Sequence, residues 1–324
     1  MVTIGAIILG IVLLIGGGTS LVHGASQIAA RFGVSPMVVG LTIVAFGTSM
    51  PELVVNMIGA SSGATELAFG NVVGSSIANL ALVLGTAALI RPIDIQGQLV
   101  RRELPLLLLA TAILTTMSLD NFFDGANPII SRSDAVVLLF VFSIFIYTMV
   151  TDFIKAREGD ALLIAIGSNP LVDNKSAGRF GGLFIAAGVF LLYYGGDMTV
   201  RHSVELAERL GISEVIVGLY IVALGTSMPE LVTSIIAAAR KESDLALGNI
   251  VGSNLFNTLL VLPASALISP VRIPAGGVAD LLLSLVFAAM LIPIFIFGKA
   301  RLGRLTGVIF LSIYLAWATL RITS

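Results

Sequence analysis

The sequence predicts an all-α polytopic membrane protein, in which ten transmembrane helices form two inverted five-helix repeats with broken helices at the centre. Composition is the first reason: 57% of the 324 residues are hydrophobic and 11% are charged, whereas a soluble domain carries roughly 25% charged residues. The second reason is that apolar runs long enough to cross a bilayer recur along the chain. The third is that one long segment occurs twice.

Ten apolar segments are candidate spans. They cover residues 2–22, 36–60, 66–90, 103–118, 133–154, 181–200, 214–239, 244–268, 279–298 and 304–321. The first segment lacks the basic start and small-residue cleavage site of a signal peptide, so we interpret it as a span. Ser35 followed by Pro36 is typical of the start of a helix, with a capping hydroxyl and a proline in the first turn.

Lysine and arginine are unevenly distributed between the two sides that ten spans define. The side of the N-terminus holds 5 of them and the opposite side holds 13, which together are all 18. Because basic residues accumulate on the cytoplasmic side, we expect a cell-membrane protein with both termini outside. The predicted organisation is a first repeat at 1–154, a cytoplasmic loop at 155–180 and a second, inverted repeat at 181–324.

Several function classes are excluded or disfavoured by composition. The chain has no cysteine, which excludes disulfides and thiol chemistry. No block of basic residues indicates nucleic-acid binding. The lipid bilayer is the expected surrounding, and no feature indicates an obligate protein partner.

The internal repeat is the strongest signal. Residues 40–79 and 218–257 align without a gap at a shift of 178, and 23 of the 40 positions are identical. Each half holds five predicted spans, so the second copy enters the membrane from the opposite face. Inverted repeats are typical of secondary transporters, which bind their substrate near the midplane where the halves meet.

Each half contains the motif GTSMPE, which ends at Glu52 and at Glu230. A carboxylate at membrane depth is costly and marks a functional site. The proline before each glutamate has no N–H, so the carbonyl four residues earlier loses its helical partner. Freed carbonyls are tolerated there only if something satisfies them, and both neighbouring hydroxyls and a bound cation can do so. The hydroxyls are those of Thr48, Ser49, Thr226 and Ser227, and the nearby carbonyls include Ala45 and Ala223.

A second motif, GN-x-x-GS-x-x-x-N, ends at Asn79 and at Asn257. Its glycines stand four residues apart, a pattern that lets helices approach closely. Close approach is expected to bring Ser75 and Asn79, or their counterparts Ser253 and Asn257, within reach of the glutamates. The asparagine at the start of the motif is expected to donate amide hydrogen bonds across helices.

Carboxylates, hydroxyls, amides and carbonyls are hard oxygen ligands, the set that suits Ca²⁺ or Na⁺. Neither motif contains cysteine or histidine, which argues against zinc or copper.

At these residues the chain resembles the calcium/cation antiporter superfamily, and within it the prokaryotic ten-span sodium/calcium exchanger type. The resemblance covers the full length, since both motifs are present in both halves. The repeats of the related proton/calcium exchangers have a different sequence, which lacks GTS-x-PE. The absence of a regulatory domain in the 155–180 loop agrees with the prokaryotic type.

The resemblance implies Na⁺/Ca²⁺ exchange by alternating access, in which the first and sixth spans slide past the other eight. Ca²⁺ and Na⁺ would be the transported ions, with no cofactor. It further implies a central diamond of four residues, completed by hydroxyls and carbonyls. The diamond would be Glu52, Asn79, Glu230 and Asn257; the others would be Thr48, Ser49, Ser75, Thr226, Ser227, Ser253, Ala45 and Ala223.

One departure from the family pattern affects the expected ion coupling. Many sodium/calcium exchangers carry an aspartate where this chain has Asn257, so only two central carboxylates remain. Two negative charges still neutralise one Ca²⁺ or two Na⁺. K⁺ dependence is not expected, because K⁺-dependent relatives use an acidic group at this position.

Three alternatives stay open. A proton-coupled or other-cation antiporter would use the same scaffold. A channel could use the same ligands, but would conduct without a counter-ion and would have little need for inverted halves. An intramembrane enzyme would need a nucleophile and base or a metal site, and the spans contain no Ser/Lys pair, Asp pair or His cluster.

Overall fold

The computed structural model describes residues 2–94, 99–119, 128–165, 180–209, 223–297 and 301–323. Its helices are α1 Val2–Phe32, α2 Pro36–Val39, α3 Ala45–Thr48, α4 Met50–Ser61, α5 Thr65–Ile77, α6 Leu84–Ile90, α7 Leu104–Met117, α8 Arg132–Ala165, α9 Gly181–Arg209, α10 Ala223–Thr226, α11 Met228–Ala239, α12 Ser243–Phe256, α13 Leu262–Ile268, α14 Gly277–Phe297 and α15 Arg304–Thr323. Four π-helical segments are Gly40–Val44, Ala78–Val83, Leu99–Glu103 and Asn257–Val261.

The described residues include six helices that are long and apolar enough to cross a membrane, and a seventh span if a bent pair counts as one. The six segments are Thr3–Phe32, Ala68–Ile90, Arg132–Ile154, Gly181–Thr199, Ser243–Ile268 and Gly277–Ile294. A mostly helical, polytopic membrane protein is therefore confirmed. The count of ten stays a prediction, because α7 is short and the first part of the predicted span 214–239 lies outside the described residues.

Two continuous segments lie deepest in the molecule. In the apolar 18-residue stretch of Ser243–Ile268, 94% is buried by protein, and in that of Ala68–Ile90 the share is 72%; in the other four segments it is 33% or less. Each of the two buried segments joins two α-helices through a π-helical turn, Asn257–Val261 or Ala78–Val83. The second sequence motif of each half thus lies in the core, while the outer helices present apolar side chains to lipid.

The GTSMPE motifs form helix breaks, as their prolines predict. The pair Pro36–Thr48 and Met50–Ser61 is bent by 44° at Ser49. Ser49 has φ −85° and ψ 3°, and Ser227 has nearly the same values, −87° and 4°. Each following helix begins one residue before its proline, because proline needs no hydrogen-bond acceptor in a first turn. The capping prediction for Ser35 is also confirmed, since its side chain accepts from the Val38 N–H.

Helices α1 and α9 pack along their length through glycines. Gly17 shows how close they are: a Cβ there would lie 2.8 Å from the Leu192 nitrogen and 2.9 Å from the Gly188 oxygen. The same backbone-to-backbone contact recurs one heptad away in each direction, so the helices are antiparallel and lock through a periodic stripe. The stripe consists of Gly10, Gly17 and Gly24 facing Gly195, Gly188 and Gly181.

Short antiparallel strand pairs join distant parts of the chain outside this helix pair. Ile93–Asp94 pairs with Arg301–Leu302, and Ile129–Ile130 pairs with Val271–Arg272. Beside each strand pair an arginine donates to the last carbonyls of a helix, as cations at helix C-termini do. The bonds run from Arg132 to Leu267 and Ile268, at 3.0 and 3.1 Å, and from Arg304 to Leu89 at 3.2 Å.

The polar region predicted as a loop begins as helix. Helix α8 continues to Ala165, past the predicted end of its span at 154. Residues 166–179, the rest of that loop up to α9, lie outside the described part of the chain.

Candidate functional site

The two helix breaks face the buried segments that carry the second motif, and together they enclose a polar cluster. Glu52 and Glu230 are 1% and 0% exposed, and Asn79 and Asn257 are each 1% exposed. Side chains of this kind are rarely buried without a role or a partner. The structure thus brings all four predicted central residues into the interior.

The hydroxyls of each GTSMPE motif bond to the opposite half of the chain. Ser49 donates to Glu230 Oε1 at 3.1 Å, and Thr48 donates to Asn249 Oδ1 at 3.1 Å. From the second copy, Thr226 donates to Asn71 Oδ1 at 3.1 Å, and Ser227 Oγ lies 3.1 Å from Ser75 Oγ. Thr48 Oγ1 also lies 3.4 Å from Ser253 Oγ. All six predicted hydroxyl residues therefore lie at one interface between the halves.

The central carboxylates and amides have few hydrogen-bond partners among the described residues. Both carboxylate oxygens of Glu52 lack one, as does Oε2 of Glu230. Both side-chain polar atoms of Asn79 and of Asn257 are also buried without a partner. Unsatisfied buried polar atoms cost free energy, so a ligand that bonded to these oxygens would stabilise the cluster.

The chemistry of the cluster is that of a cation-binding site. Neither glutamate forms an ion pair with a lysine, arginine or histidine in the described part of the chain. Two carboxylates without counter-charge, together with amide and hydroxyl oxygens, suit a hard cation. The described ranges contain no group of three or more His, Cys, Asp or Glu side chains that could hold a metal.

The two predicted carbonyl ligands are those of Ala45 and Ala223, and the structure describes Ala45 more fully than Ala223. The Ala45 carbonyl accepts from the Ser49 N–H at 2.9 Å and lies 3.3 Å from Thr48 Oγ1. It therefore remains within the helical hydrogen-bond pattern before the break. Ala223 begins α10, and its side chain is outside the described part.

Sequence reasoning missed how asparagines support this cluster. Asn249 donates across helices as expected, from Nδ2 to Ser234 Oγ at 2.9 Å. The sequence did not predict that Asn71 and Asn249 also each accept a bond from a threonine of the other half. Asn56 was not predicted at all; its Nδ2 donates to the Glu52 carbonyl at 2.7 Å. Its position four residues after Glu52, on the same helix face, is the signal that identifies it.

Comparison with known proteins identifies the family of this chain. The family model described as sodium/calcium exchanger protein matches residues 2–151 and 180–323, nearly the whole chain. The protein belongs to the sodium/calcium exchanger family. It is therefore a transmembrane antiporter of cations, a transporter rather than an enzyme.

Relatives across the family match over their full lengths. The chain is 34% identical to CaxA of Alkalimonas amylolytica over 323 residues, covering 98% of each chain. It is also 34% identical to the inner membrane protein YrbG of Escherichia coli, covering 96% of this chain and 94% of the relative. The sodium/calcium exchanger MaX1 of Methanosarcina acetivorans is 30% identical, with 98% of both chains covered.

Solved structures of the sodium-calcium exchanger NCX_Mj have the same overall fold as this family member. One of them, from a crystal soaked without Na⁺ and Ca²⁺, superposes with a TM-score of 0.83 at 28% identity and covers 98% of each chain. The similarity therefore extends over both halves of the chain rather than one half alone.

Proposed function

We propose that this protein exchanges Na⁺ for Ca²⁺ across the cell membrane by alternating access, with the polar cluster as one shared cation site. The observation that carries the proposal is the buried pair Glu52 and Glu230, whose carboxylates have three oxygens without partners among the described residues. Membership in the sodium/calcium exchanger family supports the choice of ions, as does the hard-oxygen character of the surrounding groups.

The proposed ligands are those that the sequence predicts. Glu52 and Glu230 supply charge, and Asn79 and Asn257 supply amide oxygens. The remaining ligands are hydroxyls and carbonyls of Thr48, Ser49, Ser75, Thr226, Ser227, Ser253, Ala45 and Ala223. The burial of the central four and the hydrogen bonds between the halves support this set.

The charge of the two carboxylates explains why the transport of Na⁺ and Ca²⁺ is coupled. Two carboxylates neutralise one Ca²⁺ or two Na⁺, so either occupied form carries little net charge through the membrane interior. Without a cation the two buried charges repel and are poorly solvated, which makes that form unfavourable to move. Transport is thereby restricted to exchange instead of leak.

The proposed architecture is two inverted five-span repeats, ten spans in all, with both termini outside and the 155–180 loop in the cytoplasm. Equivalent elements recurring at the sequence shift of 178 support the repeat. Met50–Ser61 corresponds to Met228–Ala239, and Leu84–Ile90 to Leu262–Ile268. The strands Ile93–Asp94 and Val271–Arg272 are related in the same way.

The moving part in this proposal is the pair α1 and α9, and the remaining helices form the fixed body. The glycine stripe supports a rigid pair, because it leaves no room for the two helices to slip independently. A cavity of about 280 Å³ lies between α9 and both motif prolines, with Gly47, Val189 and Tyr193 in its lining. It provides space next to the helix breaks for the pair to shift.

Gly17 and its neighbour Gly16 test the rigid pair. A leucine at Gly17 must displace α9, because a Cβ alone meets backbone at 2.8 Å, while Gly16 has nothing within 4 Å among the described residues. We expect Gly17→Leu to lower thermal stability in detergent by about 1–3 kcal/mol and to lower the transport rate. Gly16→Leu should leave both unchanged, and equal effects of the two substitutions would contradict the packing.

The coupling ion is tested by Ca²⁺ uptake into proteoliposomes. We expect an outward Na⁺ gradient to drive uptake and a proton gradient without Na⁺ to drive none. Uptake driven by protons alone would establish the alternative, a proton-coupled or other-cation antiporter on the same scaffold. Flux without any counter-ion would indicate a channel.

A further inference from the structure

Asn249 lies beside the proposed ligands. It contacts Thr48 and the backbone of Glu230, and it also contacts Ser234 nearby. Its side chain is fully buried in α12. Its Oδ1 accepts from the Thr48 hydroxyl at 3.1 Å, and its Nδ2 donates to Ser234 Oγ at 2.9 Å. Nδ2 also lies 3.5 Å from the backbone oxygen of Glu230. The amide therefore joins both GTSMPE motifs.

These contacts fix which way the hydroxyl points. The Glu230 carbonyl can only accept, so the NH₂ end of the amide must face it and Oδ1 must face Thr48. Oδ1 also only accepts, so Thr48 must donate its single hydrogen to Asn249. Without this partner the hydroxyl would turn to its other acceptors, the Ala45 carbonyl at 3.3 Å and the Glu230 carboxylate.

In the second copy an asparagine also accepts a hydrogen bond from threonine, but within the described part of the chain its own amide group is not held by a hydrogen bond of the kind that Ser234 makes with Asn249. Thr226 donates to Asn71 Oδ1 at 3.1 Å. The residue equivalent to Ser234 is Asn56, and neither Asn71 Nδ2 nor Asn56 Oδ1 has a hydrogen-bond partner among the described residues. Both copies therefore use an asparagine oxygen to hold a threonine hydrogen, and the copy at Asn249 is the more firmly held.

We propose that Asn249 is a positioning residue that sets the polarity of the Thr48 hydroxyl. By taking the hydrogen, it keeps that hydrogen off the Glu230 carboxylate, so that Thr48 presents lone pairs to the centre of the cluster, and cations require acceptor oxygens. Asn71 does the same for Thr226. The inference rests on the proposed cation site, and it assigns to Asn249 an effect on ion affinity that passes entirely through Thr48.

A double-mutant cycle tests this dependence. Thr48→Val, Asn249→Leu and the double variant are purified in full length, and CaCl₂ is titrated into each by calorimetry. We expect each single substitution to weaken Ca²⁺ binding about tenfold. The double variant should bind no more weakly than the weaker single variant, because Asn249 has nothing left to orient. Additive losses, or an unchanged affinity for Asn249→Leu, would overturn the proposal.

A milder substitution keeps the test decisive if Asn249→Leu does not fold. Ser234→Ala removes one anchor of the amide and should weaken Ca²⁺ binding about threefold with Thr48 present and not at all with Thr48→Val. Equal losses in both backgrounds would indicate a purely structural role and reject the inference. The proposed function and this inference can fail separately. If the unsubstituted chain binds Ca²⁺ but does not exchange it for Na⁺, only the exchange function is rejected. If it binds no Ca²⁺, the exchange function and the inference about Asn249 are both rejected.

Discussion

Glu52 and Glu230 end identical motifs, yet the fold gives them different surroundings. Glu230 receives a hydrogen bond from Ser49 of the other half, while Glu52 receives none from the described residues. The equivalent hydroxyl, Ser227, instead lies against Ser75. The comparison teaches that the repeat is symmetric in sequence but not in bonding, so that one carboxylate is held in place and the other is free to meet an ion.

The largest effect should come from removing either charge. Glu52→Gln and Glu230→Gln each remove one of two negative charges from a buried site, where a unit charge pair at 4 Å is worth about 4 kcal/mol at an effective dielectric constant of 20. We expect Na⁺-driven Ca²⁺ uptake into vesicles to fall on the order of a thousandfold. Glu66→Gln, on the exposed first turn of α5, is the matched control. Wild-type uptake by either central variant would refute the site.

A smaller effect should come from adding a charge. Asn79 and Asn257 are both buried without partners in the described structure, so aspartate fits either position with little change of shape. We expect Asn257→Asp to preserve transport but to make Ca²⁺ uptake more sensitive to acid, because protons compete for a third carboxylate. Asn79→Asp should behave alike, and an inert substitution at either position would count against its place at the centre. Uptake measured from pH 5 to 8 provides the comparison.

A third comparison separates the two serines. Ser49→Ala removes a hydrogen bond to a charged group, worth about 1.5–3 kcal/mol, and Ser227→Ala removes one between hydroxyls, worth about 0.5–1.5 kcal/mol. We therefore expect the Ca²⁺ KM to rise roughly tenfold or more for Ser49→Ala and less for Ser227→Ala. The reverse order would show that the difference between the glutamates does not govern binding.

Much of this site was predictable because its causes are local. The proline at position 51 or 229 removes a helical hydrogen bond through its own chemistry, and the duplicated motif marks which carboxylates belong together. The glycine stripe on α1 and α9 was not predicted: its members recur every seven residues, but the sequence pattern alone does not say that the two helices face each other.

What the sequence could not supply depends on how the halves meet. Nothing local distinguishes Ser49 from Ser227, and only the packed structure places one against a carboxylate and the other against Ser75. The arginine bonds from Arg132 and Arg304 to distant helix ends are unpredictable for the same reason. Asn249 donates across helices as expected, but the bond that it accepts from Thr48 follows from the neighbours that the fold provides.

The central claim, that both glutamates form one site, is tested most directly by the stoichiometry of Ca²⁺ binding to the purified chain. Calorimetric titration with CaCl₂ should give one Ca²⁺ per chain, competed by Na⁺, and Glu52→Gln or Glu230→Gln alone should remove it. Two Ca²⁺ per chain, or one that persists in each variant, would mean that the glutamates act separately and would contradict the account.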